Sequence, residues 1–467
     1  KKNILYFQST ALKIKNLKIK NNLTSNMGGG IFLIKTSNSN FSNVIVQKNK
    51  ATYGGGIFSY SCNNNYYDYC SISSNNSIGE GGGISAKGGN IYIQNSKING
   101  NYATNSNAGG ACFYRAPNEG AINAYLKNCQ ITGNKANGDG GGIRLARYRS
   151  GQTTGLGGSR TDAGLMITLS IYNCTISGNY ATLSGGGGVQ AYSDGTTDSY
   201  IDIVNSIIWD NSSTKLDNEV KWRMKYSILN VARPGVANIV EDPLFANAPS
   251  YMQAPFSDGD YSIPSACSPA FNSGDSKVSP IPSTDILGNN RFIEAIDRGA
   301  FENQGASIEE GTRYYVSSNG TGDGTSSWSN ASNDLQEVIN KATCGDEIFV
   351  AKGVYKPNRK ANNLTSISPN HVDNSFTLKS NISLYGGFKG FESNPFQRNL
   401  SDTTNRTILS GDFLNNDIIT YDNLGLPTFI NNSENANHVV VISNSLNVIM
   451  DGFTIQNGRA NGDNSLT

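Results

Sequence analysis

The stretch NCQITGNKANGDGGGI, residues 128–143, holds every element that the first half of this chain repeats. Cys129 and Ile131 stand two residues apart, so on an extended strand they point to the same side. Asn134 follows where the chain has to bend, and three glycines then lead into the apolar Ile143. A second copy, NCTISGN at 173–179, is followed by GGGGV ending at Val189. Looser copies put Leu17, Val44, Cys70, Ser96, Cys129, Cys174 and Ser206 at one position. Ile19, Val46, Ile72, Ile98, Ile131, Ile176 and Ile208 lie two residues on. Asn22, Asn49, Asn75, Asn101, Asn134, Asn179 and Asn211 lie five residues on.

The first three asparagine intervals are 27, 26 and 26 residues. That period fits one coil of a parallel β-helix, with three short strands and three bends. The Cys/Ser and Ile series point inward together, and stacked asparagines are expected to bond as a ladder. The glycine clusters end on Ile31, Ile57, Ile84, Cys112, Ile143 and Val189, which marks the entry to the next strand. The expected fold is all-β, a right-handed parallel β-helix.

Composition agrees. The 467 residues include 52 glycines, which suit tight turns between strands, while the recurring Ile, Val and aromatic residues exclude a disordered chain. Lys plus Arg number 37 against 36 acidic residues, a net charge of +1, which gives no electrostatic reason for nucleic acid or an anionic membrane as partner. No apolar run approaches the ~20 residues of a membrane-spanning helix. The opening KKNILYFQST has neither an initiator Met nor the apolar core of a signal peptide.

From each apolar mark to the next Cys/Ser position the counts are 13, 13, 12, 17, 31 and 17. Insertions therefore gather at one corner, as YSCNNNYYDY, FYRAPNEG, RYRSGQTTGLGGSRTD and AYSDGTTDS. These read as loops forming one irregular edge, and insertions on one face of a repeat protein often bind. They carry Tyr60, Tyr66, Tyr67, Tyr114, Arg147, Tyr148 and Arg149, residue types enriched at interface hot spots. Lateral contact between copies of the chain is the expected use, and a cell-surface or glycan ligand is the other.

Two segments break the repeat. In SNDLQEVINKATCGDEIFVAKGVY, from Ser332, Asn333 is placed to N-cap a short helix with Gln336 as its reciprocal partner. Leu335, Val338 and Ile339 give that helix an apolar face, so it reads as a plug at the start of a β-helix. Residues 241–302 are rich in proline, contain EDPLF, CSPAFNSGD, DILGNNRF and DRGAFE, and are expected to close the other end. This second segment resembles the choice-of-anchor Q type of C-terminal module that follows β-helices in bacterial surface proteins. YYVSSNGTGDGTSSW at 314–328, SLYGGFKGFESNPFQRN at 383–399 and DGFTI at 451–455 resemble the opening of such proteins in Bacteroidota. The glycine coils resemble polymorphic outer-membrane adhesins.

The order is then coils at 1–240, end module at 241–302, linker at 303–312, and start cap with first coils at 313–467. That order is permuted, as in a window cut from a tandem array, and the second ANGD at 460–463 falls inside a coil. The resemblance implies an extracellular, cell-surface location and secretion by the type IX route.

Catalytic chemistry has little to build on. His371 and His438 are the two histidines, and HVVV reads as a strand with a structural histidine. The seven cysteines form no CxxC pair, so zinc is not expected; Cys62 and Cys70 could bridge a loop, but the inward register of Cys70 favours a free thiol. Asp68, Glu80, Asp139, Asp194, Asp198 and Asp202 are scattered rather than paired for glycoside or lyase chemistry. Arg144, Arg147, Arg149 and Arg160 suit a solvated loop. No catalytic residue, cofactor or metal is expected. The function read from the sequence is a structural shaft of an adhesin or appendage. The alternatives are a carbohydrate-binding module with Tyr60–Tyr69 stacking on sugars, or a polysaccharide lyase or glycosidase.

Overall fold

The structure is a computed structural model that describes residues 5–115, 120–147, 167–183, 185–192, 199–213, 220–278, 281–305, 311–443, 445 and 447–460. The chain forms two compact units, Lys1–Ala306 and Ser307–Thr467.

The first unit is a parallel β-helix of the right-handed kind. One coil shows how the sequence builds it. Ile84–Gln94 supplies two successive strand segments, Lys97–Asn99 a third, and Tyr102–Ala103 a two-residue fourth. The bends flanking the third strand explain the N-C-x-I-x-G-N pattern. Asn128, Asn173 and Asn205 take φ of 56°, 49° and 49° before it, and Gly100, Gly133 and Gly178 take 63°, 60° and 67° after it. Asparagine and glycine are the residues that tolerate that left-handed conformation. Between two such corners only three residues run straight, and the middle one faces the core.

Stacking is in register from coil to coil. Ile72, Ile98, Ile131, Ile176 and Ile208 are successive parallel partners, and the first four are fully buried. Leu17 pairs with Val44 but is 38% exposed, because no described coil lies on its other side. One glycine mark is corrected. Ala111, not Cys112, pairs with Ile84 and Ile143, and Ala108 at φ 61° stands where Gly81 stands at 74°. AGGA is therefore the equivalent of GGGI.

Residues 241–302 belong to this unit, and they do not act as a plug over its last coil. They run along its flank, across successive corners. Ser257 O accepts from Asn99 Nδ2 at 2.7 Å, Thr284 O from Asn128 at 3.1 Å, and Asp275 O from Asn205 at 3.0 Å. The Phe256 ring lies over Gly133 and Gly178, where any Cβ would strike it. The glycines in the repeat thus serve the strap as well as the turn.

The second unit has its own parallel sheets, one of them built from Arg313–Val316, Glu347–Ala351, Ser383–Phe388 and Ile449–Asp451. The helix Leu335–Lys341 buries Leu335, Val338 and Ile339 against that core. Its N-cap is Asp334 rather than Asn333. Asp334 accepts from Glu337 N at 2.9 Å and is clamped by Arg359 at 2.7 Å, so a charged cap wins over a neutral one. Gln336 does not reach back to the cap. Its amide exchanges hydrogen bonds with the Thr377 backbone instead. His438 lies exposed ahead of the strand Val440–Ile442 rather than in it.

Candidate functional site

A column of asparagines, buried from Asn49 to Asn211, runs along the first unit. Asn22 donates Nδ2–H to Asn49 Oδ1 at 2.8 Å, Asn49 to Asn75 at 3.0 Å, and Asn75 to Asn101 at 3.0 Å. Asn101, Asn134, Asn179 and Asn211 continue it with steps of 2.9 Å. Each interior side chain also donates to a backbone carbonyl of the preceding coil, as Asn101 does to Ile72 O at 2.8 Å. Its oxygen accepts the backbone N–H of the preceding asparagine as well, as Asn101 Oδ1 does from Asn75 at 3.0 Å. Two donors and two acceptor sites are filled on every interior rung, which is the full capacity of a primary amide. A carboxylate, hydroxyl or apolar group would leave partners unmet.

Glycines make room for this column. A Cβ on Gly83 would come within 3.0 Å of the Asn101 amide and 2.6 Å of Gly110 O, and Gly110 and Gly142 face Asn134 and Asn179 in the same way. The last glycine of each cluster is thus a close-approach residue.

The Cys/Ser series does parallel work at the opposite bend. Cys70 N donates to Ser96 Oγ at 2.9 Å, Cys129 N to Cys174 Sγ at 3.4 Å, and Cys174 N to Ser206 Oγ at 3.1 Å. Cys62, Cys70, Cys112, Cys129 and Cys174 are free and buried. Burial pushes the Cys70 thiol up to about 11, and burial with Cys174 alongside raises Cys129 well above its ordinary value. Such thiols stay protonated and are poor nucleophiles.

The residues expected on interface loops are placed differently. Tyr60, Tyr66 and Tyr67 lie within one strand, Ile57–Asp68, and Tyr114 within Ala111–Arg115. The alternation of that strand turns Tyr67 into the core, where it stacks on Phe41 at 5.0 Å. Arg147 ends the strand Ile143–Arg147 and is 3% exposed. Tyr148 and Arg149 lie outside the described residues. Arg144, read as a loop cation, is buried, bonded to Gln190 at 2.8 Å and paired with Glu80 at 3.1 Å.

Tyr66 belongs to an outward column instead. Its ring stacks on Tyr92 at 4.7 Å, and Tyr92 on Tyr125 at 4.8 Å, with interplanar angles of 12° and 6°. These rings spend their faces on one another, so the column presents edges to solvent. A sugar ring needs an open aromatic face, and the geometry offers it poorly.

A buried ionic cluster fixes the strap. Arg291, fully buried, lies 3.3 Å from Glu302, donates to Asn128 Oδ1 at 2.8 Å, and donates to Ala300 O at 3.0 Å. Burial, with Asp297 next to it, pushes the Glu302 carboxyl up to about 8, and burial raises Asp297 to about 6. Arg298 ties the strap to the last coil through Ser227 O at 3.2 Å and Ala237 O at 2.8 Å. Sequence reading missed this cluster, because its members lie in a segment with no repeat to align. It also missed three carboxylates that come together in the second unit, Asp412, Asp417 and Glu434.

No protein family matches the chain, and no curated protein matches it. Among solved structures the chain is similar to AlyGC, an alginate lyase of the PL6 family, and to an arginine-to-alanine mutant of that enzyme. In both cases identity is 11%, coverage is 94% of this chain and 74% of the other, and the TM-score is 0.13. A superposition of that quality carries no argument about substrate or reaction.

Proposed function

We propose that this chain is a non-catalytic, load-bearing part of an extracellular filament, the shaft of a cell-surface adhesin or appendage. The observation that supports it best is the column Asn22–Asn49–Asn75–Asn101–Asn134–Asn179–Asn211, a continuous line of saturated hydrogen bonds parallel to the strand ladders. Such a line resists separation of coils along the axis. The amide groups of that column are consumed in holding coils together.

The resemblance of 241–302 to choice-of-anchor Q-like modules, and of the glycine coils to polymorphic outer-membrane adhesins, supports a bacterial surface protein. Bacteroidota and export by the type IX route follow from the same resemblance. Copies associate laterally in this reading. Tyr67 and Arg147 are buried and form no part of that contact.

Antibodies against the coil face should label thin filaments on unpermeabilised native cells by immunogold microscopy. Purified protein should release no unsaturated oligosaccharide from alginate or other polyuronates. Release of such products would replace this reading with the lyase, and saturable binding on a glycan array would replace it with a carbohydrate-binding module.

A further inference from the structure

In the second unit, two loops meet at the foot of a hairpin. The strands Ile418–Tyr421 and Pro427–Ile430 pair antiparallel, and every residue in them is exposed. The chain enters the hairpin through GDFLNND, residues 411–417, and leaves through NNSENA, residues 431–436. Carboxylate oxygens of Asp412, Asp417 and Glu434 lie within 4.8 Å of one another across that foot. Asp412 is buried and accepts from the backbone N–H groups of Asn416 at 3.3 Å and Asp417 at 3.2 Å, which curls the entry loop around it.

A second observation concerns the neutral oxygens. Asn435 is 2% exposed and donates Nδ2–H to Asp417 Oδ2 at 2.7 Å, so the oxygen of the same amide sits beside the carboxylates. That Oδ1 is shielded from solvent and accepts no hydrogen bond. The same is true of Asn416 Oδ1, Asp417 Oδ1 and Glu434 Oε1. Lys356 reaches the entry loop, but its ammonium bonds to Phe413 O at 2.9 Å and Asn415 Oδ1 at 2.8 Å. Among the described residues no Lys or Arg pairs with Asp412, Asp417 or Glu434. Shielded acceptors beside like charges are costly unless a cation or donor meets them.

We propose that this foot is a calcium site. Asp412, Asp417 and Glu434 supply charge, and the side-chain oxygens of Asn416 and Asn435 complete the shell. All donors are oxygens, which suits a hard cation. Mg²⁺ demands a near-ideal octahedron and keeps several waters beside one or two carboxylates. Ca²⁺ takes about six to eight oxygens in flexible geometry, so a site of three carboxylates and two amide oxygens suits calcium better. Ligands from both legs make the ion a clasp that fixes the hairpin to its unit.

The test uses the 467-residue chain stripped with EDTA. Titration with CaCl₂ in a calorimeter should give saturable binding near one ion per chain, with a dissociation constant in the range of about 10⁻⁶ to 10⁻³ M. Calcium should raise the melting temperature and slow chymotrypsin cleavage at Tyr421 and Phe429, while equal MgCl₂ should do neither. The double variant Asp417→Asn, Glu434→Gln should bind calcium at least about tenfold more weakly and should lose the protection. Its calcium-free circular dichroism should match the parent. Absence of calcium binding by the parent chain would overturn the proposal. So would equal protection by magnesium, or undiminished binding in the double variant.

Discussion

Asn101 gives both its side-chain Nδ2–H and its backbone N–H to one atom, the Oδ1 of Asn134, at 2.9 and 3.0 Å. One oxygen in one coil therefore fixes both the side chain and the main chain of the coil before it. This double acceptance recurs at Asn49, Asn75, Asn101, Asn179 and Asn211, so coil register is set by the column and not by the length of chain between rungs.

Asn134→Ala should be among the most damaging truncations in the unit. It removes four side-chain hydrogen bonds at a fully buried position and strands two donors of Asn101. The expected loss is about 3 kcal/mol or more, since each buried unsatisfied group costs ~1–3 kcal/mol. Urea denaturation followed by circular dichroism measures it. A loss under ~1 kcal/mol would show that the column is ornamental.

Gly83→Ala tests close approach without a left-handed backbone, because steric crowding alone opposes the new methyl. It would meet Gly110 O at 2.6 Å and the Asn101 amide at 3.0 Å. Overpacking of this kind costs ~1–3 kcal/mol. Wild-type stability in this variant would mean that the coils can spread freely.

The ionic cluster under the strap predicts a pH dependence of definite sign. Glu302 has a folded value of about 8 against an ordinary 4.5, and Asp297 about 6 against 3.8. Folding therefore favours the protonated acids. Their contribution is complete below about pH 4 and is lost as pH rises towards about 8. Melting temperature should fall between those limits, and Glu302→Gln, which keeps the neutral form at every pH, should flatten the fall. A melting temperature that climbs across that window, with the same slope in the variant, would contradict the assignment.

Pulled from its ends in an optical trap, the first unit should yield coil by coil. A 26-residue coil releases about 90 Å of chain, and the 45-residue interval between Asn134 and Asn179 about 150 Å. One rip of the whole unit would show that the strap, and not the column, sets the mechanical unit.

Much of this architecture is legible in the sequence. The Ile72–Ile98–Ile131–Ile176 register follows from the i, i+2 rule and a fixed distance to the next asparagine. Cys112 stands third after the first glycine of its cluster, as Ile84 does after Gly81, but the left-handed place that opens the cluster is not a glycine there, so the strand begins one residue earlier, at Ala111. An alanine, Ala108, holds that place in one coil. Tyr67 falls in the segment expected as a loop because that corner gathers insertions, yet here the chain only bends at Ser61 and Asn64 and stays within the strand Ile57–Asp68. The cluster at Asp412, Asp417 and Glu434 leaves no motif, because a hairpin separates its halves and the pairing of Ile418–Tyr421 with Pro427–Ile430 brings them together.

The rungs of the asparagine column are 27, 26, 26, 33, 45 and 32 residues apart, yet their bonds differ by only 0.2 Å. The fold thus accommodates insertions of different sizes at one corner, and should accept excisions that begin and end at a rung. Excising residues 76–101 would bring Asn75 onto Asn134 and close a shorter rod, whereas removing half as many would break the line. For an evolving genome this is punctuation. Whole coils can be copied, lost or lengthened without relearning how to fold, while the spelling of the rung stays fixed.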